Sequence, residues 1–183
     1  PVFEEGLVEE GNAFKIEATF LDHPIDNIAW RITEADQIKF DREKLKEYGV
    51  QGPQVKELEK SGSIVVDGKT VHLDQVSWVR KGDAFAYVVD TRMCPQAVQI
   101  AKGAKLLLCE STYQDEHKHL AQNHSHLTAT QAATIAKEAG VQNLVLTHFS
   151  ARYYSTQGLL EEARQVFPNT EVAEDLKTFE FQR

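Results

Sequence analysis

An α/β fold with a largely parallel sheet is what this sequence predicts, on three observations. Apolar runs of strand length, "AFAYVV", "KLLLCE" and "NLVLT", alternate through the second half with segments that read as helices, the rhythm of βαβ units. The first half alternates single apolar and polar residues instead, the period of half-buried antiparallel strands. Finally, 183 residues that are 42% hydrophobic, with only ten glycines and five prolines, suffice to bury one sizeable core, so a single domain is expected.

The elements follow in order. Phe14, Ile16, Ala18 and Phe20 alternate with polar residues as far as His23, where Pro24 prevents regular continuation. Ile28, Trp30 and Ile32 repeat the pattern and read as an antiparallel partner. The texture then changes: Lys39 to Lys60 is densely charged, poor in core residues and broken by Gly49, Gly52 and Pro53, so residues 36–62 read as an inserted arm. "SIVVDGKTVHL" follows as a hairpin turning on Asp67-Gly68. A strand ending near Asp90 leads through Pro95 into a helix stopped by Gly103, and a strand then ends on Glu110. After a polar, histidine-rich loop, Thr128 caps a helix closed by Gly140. The strand Asn143 to Thr147, a helix through "GLLEEARQVF" and a last strand at "LKTFEF" complete the chain.

Charge and composition exclude several classes. A net charge of −8 argues against non-specific nucleic-acid binding by the whole surface, though not against a local basic patch. No apolar run approaches the roughly 18 residues of a membrane span, and no charged leader precedes an apolar stretch. The two cysteines, Cys94 and Cys109, lie in or beside apolar runs and read as buried thiols of a reducing compartment, so a cytoplasmic protein is expected. The chain opens at Pro1 without methionine and is expected to be a piece of something longer.

Polar residues collect where the strands end. His23, Asp90, Glu110 and His148 each close a predicted strand, and open α/β sheets place their ligand crevice at that edge. Carboxylate and imidazole together suit a borderline metal such as zinc or manganese. Each position also has a plainer reading: a loop histidine for His23, a helix cap for Asp90, a cap or the partner of a base for Glu110. His148 stands out because it ends a run with the character of a buried strand. His126, just ahead of the cap Thr128, lies near a helix start that favours an anion. His117 and His119 read as solvated loop residues and His72 as structural.

The segments "VVDTRMCP", "LLLCESTY", "HLTATQAATIAKEAGVQNLVLTHFSARY" and "VFPNTEVAEDLKTFEF", in this order, closely resemble the carboxyl-terminal portion of the ribonuclease Z family, metallo-β-lactamase-fold endonucleases that remove 3′ trailers from precursor tRNA. "FLDHPIDNIAWRI" resembles the family's histidine motif, and the charged insertion with its "GP" resembles its tRNA-gripping arm. The resemblance implies the carboxyl-terminal portion of an αββα sandwich, a two-zinc site, precursor tRNA as substrate and a homodimer. It implies His23, Asp90 and His148 as metal ligands, with Asp90 bridging. It implies His126 as a catalytic residue supported by Glu110, Arg152 as a phosphate contact, and an arm presenting Gly52, Pro53, Lys44, Lys46 and Lys56 to tRNA. One departure is Val89, where the family usually has glycine before the aspartate.

A larger departure is the absence of HxHxDH, the family's amino-terminal metal motif. Two metals need about seven or eight ligand positions, and three matched residues cannot supply them. The chain is therefore expected to be a partial domain that is inactive alone. Two alternatives stay open: another hydrolase of the fold acting on small phosphodiesters or esters, and a non-catalytic half serving binding or dimerisation. For the arm, interleaved acids (Asp41, Glu43, Glu47, Glu57, Glu59) leave a solvated helical face as the competing reading.

Overall fold

The computed structural model describes residues 4–180. In chain order the strands are β1 (Gly6–Glu10), β2 (Phe14–Phe20), β3 (Ile28–Glu34), β4 (Gln37–Phe40), β5 (Ser63–Val66), β6 (Lys69–His72), β7 (Ser77–Arg80), β8 (Ala84–Val88), β9 (Leu106–Glu110), β10 (Asn143–Thr147) and β11 (Thr170–Val172). The helices are α1 (Arg42–Glu47), α2 (Pro53–Ser61), α3 (Leu73–Val76), α4 (Pro95–Ala101), α5 (Lys118–His124), α6 (Ala129–Ala139) and α7 (Gln157–Val166), with a 3-10 turn at Asp115–His117. Two compact units divide them: Ala35–Gly82 forms one, and the chain on either side of it forms the other.

The larger unit is built on one seven-stranded sheet in the order β1-β2-β3-β8-β9-β10-β11. β1, β2, β3 and β8 pair antiparallel, and β8 through β11 pair parallel. The parallel half needs crossovers, and local sequence supplies them. Pro95 opens α4 at a position that needs no backbone donor. Thr128 and Gln131 form a reciprocal cap at the start of α6, and Gly140 ends that helix at φ +65°. Five alanines of α6 are buried, and their small side chains let the helix backbone lie close to the sheet.

Among the described residues the two faces of this sheet are filled unequally: Val145 of β10 is buried on the second face, but from β2 to β9 that face is left partly open. On β8 and β9, Ala84, Ala86, Val88, Leu107 and Cys109 are buried in one core with α4 and α6, while Phe85, Tyr87, Leu106 and Leu108 between them are half-buried. The register carries the second face across the sheet: Ile16 opposes Ile32, Ile32 opposes Phe85, and Phe85 opposes Leu106. Phe14 and Ile32 are each 40% exposed and Phe20 is 37% exposed. A parallel sheet is ordinarily covered on both faces, so this apolar face is an unfilled one.

The smaller unit has a core of its own. β4 pairs with β7, and β5 with β6. Val50, Leu58, Ile64, Val66, Val71 and Val76 are buried together, with Phe40, Leu45, Val55 and Leu73 packed on them. This corrects the reading of an insertion poor in core residues and confined to residues 36–62: the apolar partners of Val50, Val55 and Leu58 come from the hairpin and α3, beyond that boundary. The hairpin turns on Asp67 and Gly68, both at positive φ, as the sequence predicts.

Three further differences have local causes. β1 forms where an acidic segment is read, because its backbone pairs with β2 while all five of its residues stay exposed. Residues 115–124 are mostly helical rather than a loop. The last strand among the described residues is β11; within "LKTFEF", Leu176 is fully exposed, residues 176–180 form no strand, and Phe181 lies outside the described residues.

The unfilled face has a measurable consequence. This chain in isolation should bind a hydrophobic dye and self-associate with rising concentration in sedimentation velocity. Replacing Phe14 and Ile32 by serine and threonine should reduce both while changing stability by about 1 kcal/mol or less. A monodisperse wild-type chain that binds no dye would mean the face is not available.

Candidate functional site

The sheet brings one set of strand ends to one edge. β2, β8, β9 and β10 run in the same direction, so His23, Asp90, Glu110 and His148 all follow or close strands at that edge. Asp90 and His148 both hold left-handed backbone, at φ +56° and +57°, a conformation that costs free energy in residues other than glycine. At Asp90 the turn is clamped by Asn27, whose Nδ2 donates to the carbonyls of Val89 and Asp90, the latter at 2.8 Å.

The side chains converge. His148 Nε2 lies 3.0 Å from Asp90 Oδ1, His126 Nδ1 lies 3.8 Å from the same oxygen, and the two imidazole centroids are 5.2 Å apart. One donor atom each from Asp90, His126 and His148 fall within 4.8 Å of one another. His23 is beside this group rather than in it, with its ring 5.9 Å from that of His126 and its Nδ1 3.2 Å from the Ile25 carbonyl oxygen.

Glu110 is the buried centre, with no exposed side-chain surface. Its Oε1 accepts from the Thr91 N–H at 2.6 Å and lies 3.1 Å from His126 Nδ1; its Oε2 accepts from Thr112 Oγ1 at 2.7 Å and the Leu127 N–H at 3.0 Å. Burial pushes the carboxyl pKa up, but the bonds from His126, Leu127, Thr112 and Thr91 outweigh it and hold the value below that of an ordinary glutamate. His126 is raised in turn, chiefly by its bond to Glu110, against the opposing effect of burial. The pair is thus a carboxylate holding a readily protonated imidazole.

Thr112 sets the state of His148. Its single hydroxyl hydrogen goes to the charged Glu110 oxygen at 2.7 Å rather than to the His148 carbonyl at 3.0 Å. Its oxygen, 2.9 Å from His148 Nδ1, therefore accepts from that nitrogen. With Nδ1 committed to Thr112, Nε2 is the nitrogen that faces Asp90 Oδ1 at 3.0 Å and is left to share a proton or a metal with it, the arrangement that outer partners impose on metal-binding histidines.

Arg152 is exposed and rests over the Tyr113 ring at 5.3 Å, its Nε 3.3 Å from Ser150 Oγ. Tyr113 also bonds through its backbone to Leu127 and Ala129, on either side of Thr128, so one residue steadies both the His126 segment and Arg152. His117 is not a free loop residue: its Nδ1 lies 2.9 Å from the Tyr153 hydroxyl. His119 is exposed, as the sequence suggests. Asn27, Thr91, Thr112 and Tyr113 were not legible as site residues, because short polar side chains beside strand ends look like ordinary turn formers.

The arm residues lie in the smaller unit. Lys44, Lys46 and Lys56 are exposed, and the helical pairing offered by the neighbouring acids does not form for them among the described residues. Gly52 has φ +43° and ψ −113°, a conformation reserved for glycine, and Pro53 follows as the first residue of α2.

Residues 41–149 match the family model described as "Beta-lactamase superfamily domain". The chain belongs to the beta-lactamase superfamily. It is 59% identical over 99% of its length to a protein of Protochlamydia amoebophila named Ribonuclease Z, and it spans 59% of that relative's length. Among solved structures it resembles the metallo-beta-lactamase fold protein YhfI of Bacillus subtilis, with TM-score 0.61 at 20% identity, covering 94% of this chain and 52% of that one. It also resembles the short form of human tRNase Z, with TM-score 0.57 at 22% identity, covering 93% of this chain and 44% of that one.

Within this superfamily chain, a carboxylate and two imidazoles whose donor atoms lie within 4.8 Å suit a divalent metal of borderline softness. Nitrogen-detected NMR of His148 should find the proton on Nδ1. Thr112→Val should lose that tautomer preference and weaken metal affinity by roughly tenfold or more. An unchanged tautomer and affinity would separate Thr112 from the site.

Proposed function

We propose that this chain is the carboxyl-terminal part of a metal-dependent endoribonuclease that removes 3′ trailers from precursor tRNA. The observation that carries the reading is the 59% identity, over 99% of this chain, to a protein named Ribonuclease Z. The convergence of Asp90, His126 and His148 around buried Glu110 supports it. The remaining length of such relatives would supply the missing ligands and cover the unfilled sheet face, giving the αββα sandwich.

Zinc is the metal we assign: on this chain's side Asp90 and His148 would hold it, joined by His23, whose ring lies 5.9 Å from that of His126. Bound there, the metal would supply charge stabilisation at the scissile phosphate and a water that ionises near neutral pH. The chain's own residues do the rest. Glu110 holds Nδ1–H of the His126 imidazolium, leaving Nε2–H as the proton to donate to the departing 3′ oxygen of the tRNA body. Attack by water at phosphorus breaks the P–O3′ bond, so the trailer keeps the phosphate. Arg152, steadied on Tyr113, faces substrate phosphate. The arm presents Lys44, Lys46, Lys56 and the Gly52-Pro53 turn to the tRNA backbone, recognised by charge and shape. A homodimer in the cytoplasm completes the reading.

The clustering of donor atoms from Asp90, His126 and His148 within 4.8 Å favours a second role for His126, as a metal ligand through Nε2, since its Nδ1 is held by Glu110. In the full-length polypeptide, His126→Ala should slow single-turnover cleavage by roughly 10²–10⁴-fold with zinc content unchanged. His148→Ala should lose zinc along with activity. Zinc loss in His126→Ala would reassign it as a ligand, and a near-normal rate would remove it from the mechanism.

A further inference from the structure

A cleft of about 220 Å³ opens beside His126, walled by Arg92, Met93, Lys118, Gln122 and Gln131. Its lining contains two fixed cations, an imidazole and two carboxamides, but no carboxylate. That is an anion's environment. Arg92 is positioned by Asp22, through an ion pair at 3.2 Å and a backbone bond from its N–H to the Asp22 carbonyl at 3.0 Å. The guanidinium has five N–H donors, and this one contact leaves most of them for a ligand. Gln131 is equally constrained: its Oε1 accepts from the Thr128 N–H at 2.9 Å, so its NH₂ is the end left to donate. Lys118 is exposed at the rim.

The volume narrows the ligand. At about 220 Å³ the cleft is smaller than the roughly 300–1,000 Å³ of pockets that enclose drug-sized molecules. It suits a phosphate with its sugar, not a whole polynucleotide segment.

The geometry points to a subsite for the 5′ phosphate of the nucleotide that remains on the tRNA body after cleavage. This rests on the proposed function, in which His126 protonates the departing 3′ oxygen. The group bonded to that oxygen is the retained terminal nucleoside, so the nucleotide beside His126 is the retained one, and the cationic cleft next to the imidazole receives its phosphate. Arg92, Lys118 and Gln131 are then positioning residues that fix the leaving oxygen relative to His126.

Two experiments test this separately from the activity itself. The chain alone is titrated with cytidine 5′-monophosphate and followed by ¹H–¹⁵N NMR. The side-chain amides of Gln122 and Gln131 should shift, and the Arg92→Gln/Lys118→Gln variant should bind roughly tenfold more weakly. Shifts confined to other surfaces, or equal binding by the variant, would overturn the subsite. In the full-length, zinc-loaded polypeptide, precursor tRNA carries a neutral methylphosphonate at the phosphate one nucleotide 5′ or 3′ of the scissile bond. Neutralising the 5′ phosphate should raise KM in the wild type and have much less effect in the double variant, while the 3′ replacement affects both alike. The reverse pattern would place the trailer in the cleft and contradict the assignment. Failure of the unmodified substrate to be cleaved would sink the proposed function, leaving the nucleotide titration to decide the anion site.

Discussion

The site depends on one buried negative charge. Glu110 is fully enclosed, and an ionised carboxylate removed from water costs several kcal/mol unless it is satisfied. Thr91, Thr112, His126 and Leu127 satisfy it, each contact to a charged acceptor contributing roughly 1.5–3 kcal/mol. These partners belong to three separate segments: the turn after β8, the turn after β9 and the approach to α6. Meeting the needs of one carboxylate therefore fixes Asp90, Thr112 and His126 at once. Thr112 extends the constraint to His148, so the whole donor group is organised from below.

The sheet makes this economical in residues. Parallel strands deliver their ends to one edge, and the left-handed backbone at Asp90 and His148 turns those side chains toward each other. The strain is local, and Asn27 holds the Asp90 turn from β3's side. The same sheet leaves Phe14, Phe20 and Ile32 exposed on its second face. The chain thus combines an ordered polar centre with an exposed apolar surface.

Much of this was legible in the sequence. Asp90, Glu110, His126 and His148 could be singled out because buried apolar runs stop on them or because they precede a helix cap, and these four do meet in space. His23 could be placed at the same edge, but its neighbourhood could not, since the Pro24 turn obeys no periodic rule. The smaller unit was misjudged because its core residues are spread over helices and hairpin in short stretches, each too brief to show a period. β1 was missed for a related reason: a strand exposed on both faces carries no apolar alternation, and only its pairing with β2 defines it. Asn27 and Thr112 act through hydrogen bonds to distant segments, which local sequence does not encode.

The most direct test is the pH dependence of unfolding of the chain, with a chelator present, compared with Glu110→Gln. A depressed glutamate pKa contributes stability above the ordinary value of about 4.3 and loses it as pH falls through the folded value. A raised histidine pKa contributes stability below about 6.5 and loses it as pH rises through the folded value. The stability lost on substitution should therefore be greatest between about pH 4.3 and 6.5, at roughly 1–3 kcal/mol, and diminish on both sides. Equal stability of the two proteins across that window would contradict the role assigned to the buried carboxylate.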